Sequence, residues 1–183
     1  MTRVEEHRFI PWRESDRRLL VAAAILALAL GIFITVFYVV FTTIRIDGPS
    51  MAPTLLNGDR ILLTKGYPEP AVGDVLSVNV PDEYGRSVRV IKRVAAIGGD
   101  TVEVFGDRIY VNGDLAPSGY GAVPEHEDFY APPFVVPDGM VYIAGDNRGV
   151  SYDSRIVGPV PVSAVNGRVV AIVFPLHRLG GVE

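Results

Sequence analysis

Residues 19–41, LLVAAAILALALGIFITVFYVVF, form a run of 23 positions without a charge, Pro, Asn or Gln. At about 1.5 Å per residue, a helix of this length reaches roughly 35 Å, against a bilayer hydrocarbon core of about 30 Å. A core helix of a soluble domain is rarely so long and so uniformly apolar. A cleaved signal peptide has an apolar core of roughly 7 to 15 residues closed by small side chains. This run ends instead on the bulky Phe37-Tyr38-Val39-Val40-Phe41. It reads as a permanent membrane anchor, which also accounts for a mean hydropathy of +0.28 in a chain that is 21% charged.

Residues 1–18, ahead of the run, carry Arg3, Arg8, Arg13, Arg17 and Arg18, whereas only Arg45 and Arg60 follow within the next 19 positions. Orientation follows the Lys and Arg of the short flanks, and Glu5, Glu6, Glu14 and Asp16 weigh little in it. The expected order is a cytoplasmic tail at 1–18, a single-pass anchor at 19–41 in the plasma membrane, and one extracytoplasmic domain at 42–183.

That domain reads as mostly β. Strand-like stretches fall at 44–46, 60–64, 74–80, 87–97, 101–105, 108–111, 140–144 and 167–174, nearly all separated by Gly or Pro. Gly106-Asp107 between two alternating runs signals a hairpin, and Asn112-Gly113 a second turn. Short helical turns are expected near 53–56 and 162–165. Residues 115–138 are rich in Pro, Gly and acid and read as an exposed excursion. Within it, Glu125-His126-Glu127-Asp128 reads as a solvated face rather than a metal site, and Phe129-Tyr130 as loop aromatics packed on the sheet.

Composition narrows the function. The 183 residues include no Cys and three His, which excludes a disulfide scaffold and leaves little for a structural zinc site. A net charge of -4 argues against nucleic acid as a partner. No cofactor or metal is called for. Three polar clusters remain unexplained by a simple β domain: residues 48–54 (GPSMAPT), 89–94 (RVIKRV) and 145–155 (GDNRGVSYDSR). A Ser in a Pro-rich turn is ordinarily a cap or a surface hydroxyl. Lys92 is more informative, because strand alternation puts it on one face with Val88, Val90 and Val94. Its stem could pack while its amine snorkels to water. Alternatively, the amine is desolvated, its pKa falls from about 10.4 toward 7 to 8, and it becomes a base able to activate a Ser without His. Ser-Lys pairs are a known variant of nucleophilic hydrolysis, and no Gly-x-Ser-x-Gly elbow competes.

In this order, the motifs resemble bacterial type I signal peptidase, the membrane-bound Ser-Lys leader peptidase, in its shorter single-anchor Gram-positive-like form. The likeness spans residues 42–180 and includes Gly58-Asp59-Arg60-Ile61-Leu62 and Gly98-Gly99-Asp100. It implies a β domain of coiled antiparallel sheets that cleaves exported preproteins after Ala-x-Ala sites, with Ser50 as nucleophile and Lys92 as base. Ser151 is then expected to hydrogen-bond the Lys92 amine, and Asp153 and Arg155 to form a supporting ion pair. Ile44, Ile46, Met51, Leu55 and Ile91 are expected to line shallow apolar pockets. In a regular strand Ile91 points away from Lys92, so both can serve only if substrate pairs beside the strand or a bulge intervenes. The Ser50 N–H is the implied oxyanion donor. Some relatives use a Ser hydroxyl two positions before the nucleophile, but Gly48 stands there, leaving the second donor open. Implied partners are exported preproteins, the lipid bilayer and, by proximity, the export translocon. The competing readings are another Ser-Lys protease of the wider clan and a membrane-anchored non-catalytic binding protein on the same scaffold. An endoplasmic-reticulum homologue would carry His where Lys92 stands.

Overall fold

The fold is taken from a computed structural model, which describes residues 13–67, 69–117 and 130–182. The apolar run lies in one helix, α1 (Glu14–Val40), with Glu14 and Asp16 in its first turn, where acidic groups suit the helix dipole. The helix starts ahead of the apolar run and gives way at Phe41 to a strand. None of its residues is buried. The Thr35 hydroxyl within it donates to the Gly31 carbonyl at 2.8 Å, so this polar group is satisfied by its own helix. By chain contacts the chain up to Val39 is one unit and the chain from Val40 onwards another.

The second unit is built on two antiparallel sheets. Its first six strands are β1 (Phe41–Arg45), β2 (Arg60–Lys65), β3 (Val75–Pro81), β4 (Ser87–Ile97), β5 (Thr101–Phe105) and β6 (Arg108–Val111). They are followed by β7 (Asp114–Leu115), β8 (Tyr130–Val135), β9 (Met140–Ala144), the short helix α2 (Ser154–Val157), β10 (Val160–Pro161), β11 (Val165–Phe174) and β12 (Gly180–Gly181). The larger sheet runs β1-β2-β11-β3-β4-β9-β10, with β12 beside β11; the smaller runs β7-β6-β5-β8. The mostly β domain of antiparallel sheets behind one N-terminal apolar helix, expected from the sequence, is therefore present.

Both sequence-read turns close hairpins. Phe105 pairs Arg108 across Gly106-Asp107, and Val111 pairs Asp114 across Asn112-Gly113. The second turn needs positive φ at both central positions, which Asn112 and Gly113 supply at 53° and 91°. Of the two expected helical turns, 162–164 forms a 3-10 turn, while 53–56 stays an irregular turn. Much of the expected excursion is outside the described residues, including His126, its acidic neighbours and Phe129. Its end corrects the reading, because Tyr130–Val135 is a strand. The Pro132-Pro133 pair hid it. β8 tolerates two prolines because it is an edge strand and slips register opposite Glu103, between the Val102–Phe134 and Val104–Ala131 pairs.

Among the described residues three apolar clusters form the core, and β4 reaches all of them. Ile91 packs against Ile46, Met51, Leu55 and Ile61. Val88, Val90 and Val94 pack with Leu76, Val78 and Ile143. A bulge between Val94 and Ala96 then turns Ala95 and Ala96 onto the smaller sheet, against Val102, Val104 and Ile109. Lys92 lies between the valines of the second cluster, on the face its alternation predicts.

Candidate active site

Ser50 sits on a loop pinched at its neck. Ile46 N–H donates to the Asp59 carbonyl at 2.8 Å and Gly58 N–H to the Ile46 carbonyl at 2.9 Å. Inside the loop, the Asn57 side chain accepts from Gly48 N–H at 3.2 Å, and Asp59 Oδ2 accepts from Leu56 N–H at 2.8 Å. Met51 and Leu55, 1% and 0% exposed, plug the loop into the first core cluster. Ser50 is thus held at the rim by apolar anchors directly after it in the chain.

Lys92 comes from β4 and is 3% exposed. Its Nζ lies 2.8 Å from Ser50 Oγ and donates to the Ile91 carbonyl at 3.0 Å. It forms no ion pair among the described residues. Burial lowers its pKa from 10.5 to about 8; Asp153 and Asp146 pull it back up and Arg155 pushes it further down. A buried amine at this pKa, in contact with a hydroxyl, is chemically able to take that hydroxyl's proton near neutral pH.

The segment 145–155 closes over this pair. Arg155 grips Asp153 through two contacts at 2.9 and 3.0 Å, reaches Asp107 at 2.7 Å, and donates to the Arg148 carbonyl at 2.6 Å. Burial alone would push the Asp153 carboxyl up, and the Arg155 guanidinium outweighs it, holding Asp153 below the usual carboxylate range. Asp153 Oδ2 also accepts from Gly145 N–H at 2.9 Å. A Cβ at Gly145 would overlap both Ser151 Oγ and the Ser50 carbonyl, so only Gly fits there.

Ser151 departs from expectation. Its hydroxyl is buried and is not hydrogen-bonded to Lys92; it lies beside Asp153, where it helps hold that carboxyl charged. The Lys92 amine is instead turned onto Ser50 and the Ile91 carbonyl, while Ser151 Oγ faces Gly145.

Residues 44–47 form one wall of a groove of about 300 Å³, Ser50 and Met51 its end, and residues 89–92 of β4 the other wall. Among the described residues, both walls offer open strand edges beside Ser50: Ile44 and Arg45 of β1 are paired by β2 on one side, and β9 joins β4 from Arg93 onwards. Ile44, Ile46, Met51 and Ile91 all reach this groove. Leu55 does not; it is wholly inside the core beneath the Ser50 loop, which corrects its assignment to a pocket. Ile91 and Lys92 share the groove because the Lys92 stem curls back to the carbonyl of its own neighbour, bringing the amine to the strand edge.

The Ser50 loop is also fixed from outside, by residues of other segments. Thr54 Oγ1 donates to Asp146 at 2.6 Å, and Arg93 holds Asp146 by two contacts of 2.9 Å. Asn147 N–H donates to the Ser50 carbonyl at 3.0 Å and its side-chain amide to the Pro49 carbonyl at 3.3 Å. Arg178 clamps Asp59 and donates to the Thr54 carbonyl at 2.9 Å. Arg93 and Asn147 lay within recognisable clusters, but the tail around Arg178 gave no signal.

Residues 18–174 match the family model described as signal peptidase, peptidase S26. A probable signal peptidase I-1 of Synechocystis is 33% identical over 180 residues, covering 93% of this chain and 88% of the relative. Signal peptidase I S of Bacillus subtilis is 35% identical over 150 residues, 74% of each chain. Thylakoidal processing peptidase 1 of Arabidopsis thaliana is 36% identical over 145 residues, 73% of this chain and 42% of that one. With a buried amine set against a serine hydroxyl at the end of an open-edged groove, a family model matching residues 18–174 and a relative covering 93% of its length, the chain belongs to the signal peptidase family, peptidase S26.

Proposed function

We propose that Ser50 is the nucleophile and Lys92 the general base with which this membrane-anchored serine endopeptidase cleaves signal peptides from exported preproteins. The observation that carries this reading is the 2.8 Å contact between Lys92 Nζ and Ser50 Oγ at a lysine almost closed to water. Neutral Lys92 takes the Ser50 proton as Oγ bonds to the scissile carbonyl carbon. The resulting ammonium returns that proton to the leaving amine as the C–N bond breaks, leaving an ester on Ser50. Water then attacks the ester carbon and gives a proton to Lys92, which passes it to Ser50 Oγ as the C–O bond breaks, restoring the Ser50 hydroxyl and the neutral amine.

The oxyanion faces the Ser50 N–H. A peptide N–H points opposite the preceding carbonyl, and the Pro49 carbonyl is fixed by Ala52 N–H at 3.0 Å and by Asn147 at 3.3 Å. Asn147 is thereby a positioning residue for the oxyanion donor. Asp153 and Arg155 hold the overlying segment, and Ser151 supports it from beneath Gly145.

The substrate enters as an extended strand between the open edges of β1 and β4, gaining main-chain hydrogen bonds. Its first and third residues before the cut face Ile46, Ile44, Met51 and Ile91, which favours Ala there by size. Residues 1–18 lie in the cytoplasm, 19–41 cross the plasma membrane and 42–183 form the outward peptidase domain, a reading supported by the arginines ahead of the apolar run. Work beside the export translocon follows, since substrate and enzyme then share one membrane.

The test uses detergent-solubilised full chain and a full-length preprotein with an Ala-x-Ala site, with the products read by mass spectrometry. One cut after the second Ala is expected, lost in Ser50→Ala and Lys92→Ala. A cut that survives Ser50→Ala overturns the nucleophile.

A further inference from the structure

Arg45 and Arg60 stand directly opposite each other across β1 and β2. Both are exposed, and neither forms an ion pair among the described residues. Like charges in directly opposed positions disfavour strand pairing, so the sheet gains nothing from them. Arg45 also lines the groove that ends at Ser50, and its Nη2 lies along the loop neck, 3.8 Å from where a Cβ on Gly58 would stand. A third arginine, Arg89, lines the opposite wall.

Moving away from Ser50, the wall reads Ile46, Arg45, Ile44. Ile46 and Ile44 face the core cluster, so Arg45 faces the other side of the strand. A peptide laid along the open edge of β1 alternates in the same manner. With its first and third residues before the cut beside Ile46 and Ile44, its second stands in line with Arg45 and, behind it, Arg60. We propose that Arg45, backed by Arg60, reads the charge of the second residue before the cut and favours Asp or Glu over Lys or Arg there. Asp47 also lines the groove, two residues nearer Ser50, and its opposite charge there limits the reach of Arg45 along the bound peptide.

This inference rests on the peptidase reading of the groove, and the experiment separates the two. Three full-length preproteins differ only in the middle residue of Ala-x-Ala, carrying Glu, Gln or Lys, and kcat/KM is measured with the full chain in detergent. Wild type is expected to prefer Glu to Lys by about fivefold at low ionic strength, less in high salt. Arg45→Gln should flatten the series and Arg45→Glu invert it. Equal rates on Glu and Lys substrates with wild type overturn the proposal while the peptidase reading stands, and so does an unchanged order in Arg45→Glu. Failure of wild type to cut the Gln substrate overturns both.

Discussion

Lys92 and Arg155 are both basic, both nearly covered by protein, and both close to Asp153, yet their surroundings differ. Arg155 spreads its guanidinium over Asp153, Asp107 and the Arg148 carbonyl, and its side chain is 7% exposed. Burial opposes its charge, and the Asp153 contact outweighs burial, raising its pKa further. Lys92 has a hydroxyl and a carbonyl in place of carboxylates, and burial brings its pKa down to about 8. The nearby carboxylates are already engaged, Asp153 by Arg155 and Asp146 by Arg93. The arginines thus keep the acids from holding Lys92 charged. A buried cation with partners is structural, and one denied partners is available as a base.

Substitutions can break this contrast. Lys92→Met should cost at least about 10³-fold in kcat/KM, the scale of losing a general base. The same variant should be more stable below pH 8. The folded state resists protonating Lys92, so the unfolded chain binds more protons between about pH 8 and 10.5. Wild-type stability therefore rises through that window, and below it carries a penalty of up to about 3 kcal/mol that Met removes. Thermal unfolding in detergent at pH 7 and pH 10 checks this; a destabilised Lys92→Met at pH 7 would count against an unpaired buried amine. Arg155→Leu should act in reverse, destabilising by about 3–5 kcal/mol because it leaves Asp153 and Asp107 covered without their cation. Its unfolding midpoint should drop sharply, whereas a near-neutral result would mean the cluster is better solvated than its geometry indicates.

A smaller effect separates positioning from folding. Thr54→Val keeps the shape of the side chain but loses the 2.6 Å bond to Asp146, loosening the loop that carries Ser50. We expect kcat to fall about tenfold with KM nearly unchanged, and Thr54→Ser to recover most of it. A matched rise in KM would place the defect in the groove instead.

Where the sequence was legible, a local pattern matched a local cause. The alternation around Lys92, the Gly106-Asp107 and Asn112-Gly113 turns, and the 23-residue apolar run each fix structure through neighbours in the chain. Failures came where partners are distant or a strand breaks its own rules. Pro132-Pro133 masked an edge strand, and the two-residue strands at 160–161 and 180–181 are too short to show a period. Leu55 is a pocket residue by the family resemblance, but the loop turns it inward. Arg178 meets Asp59 and Thr54 across more than 100 residues of chain, a contact that no spacing announces.

The most direct test of Lys92 as the base is the pH dependence of kcat/KM for one preprotein with the full chain in detergent. The rate should rise tenfold per pH unit below about pH 8 and level off above it, because only the neutral amine accepts the Ser50 proton. A profile that is flat from pH 6 to 10, or that levels off near pH 6.5, would contradict it.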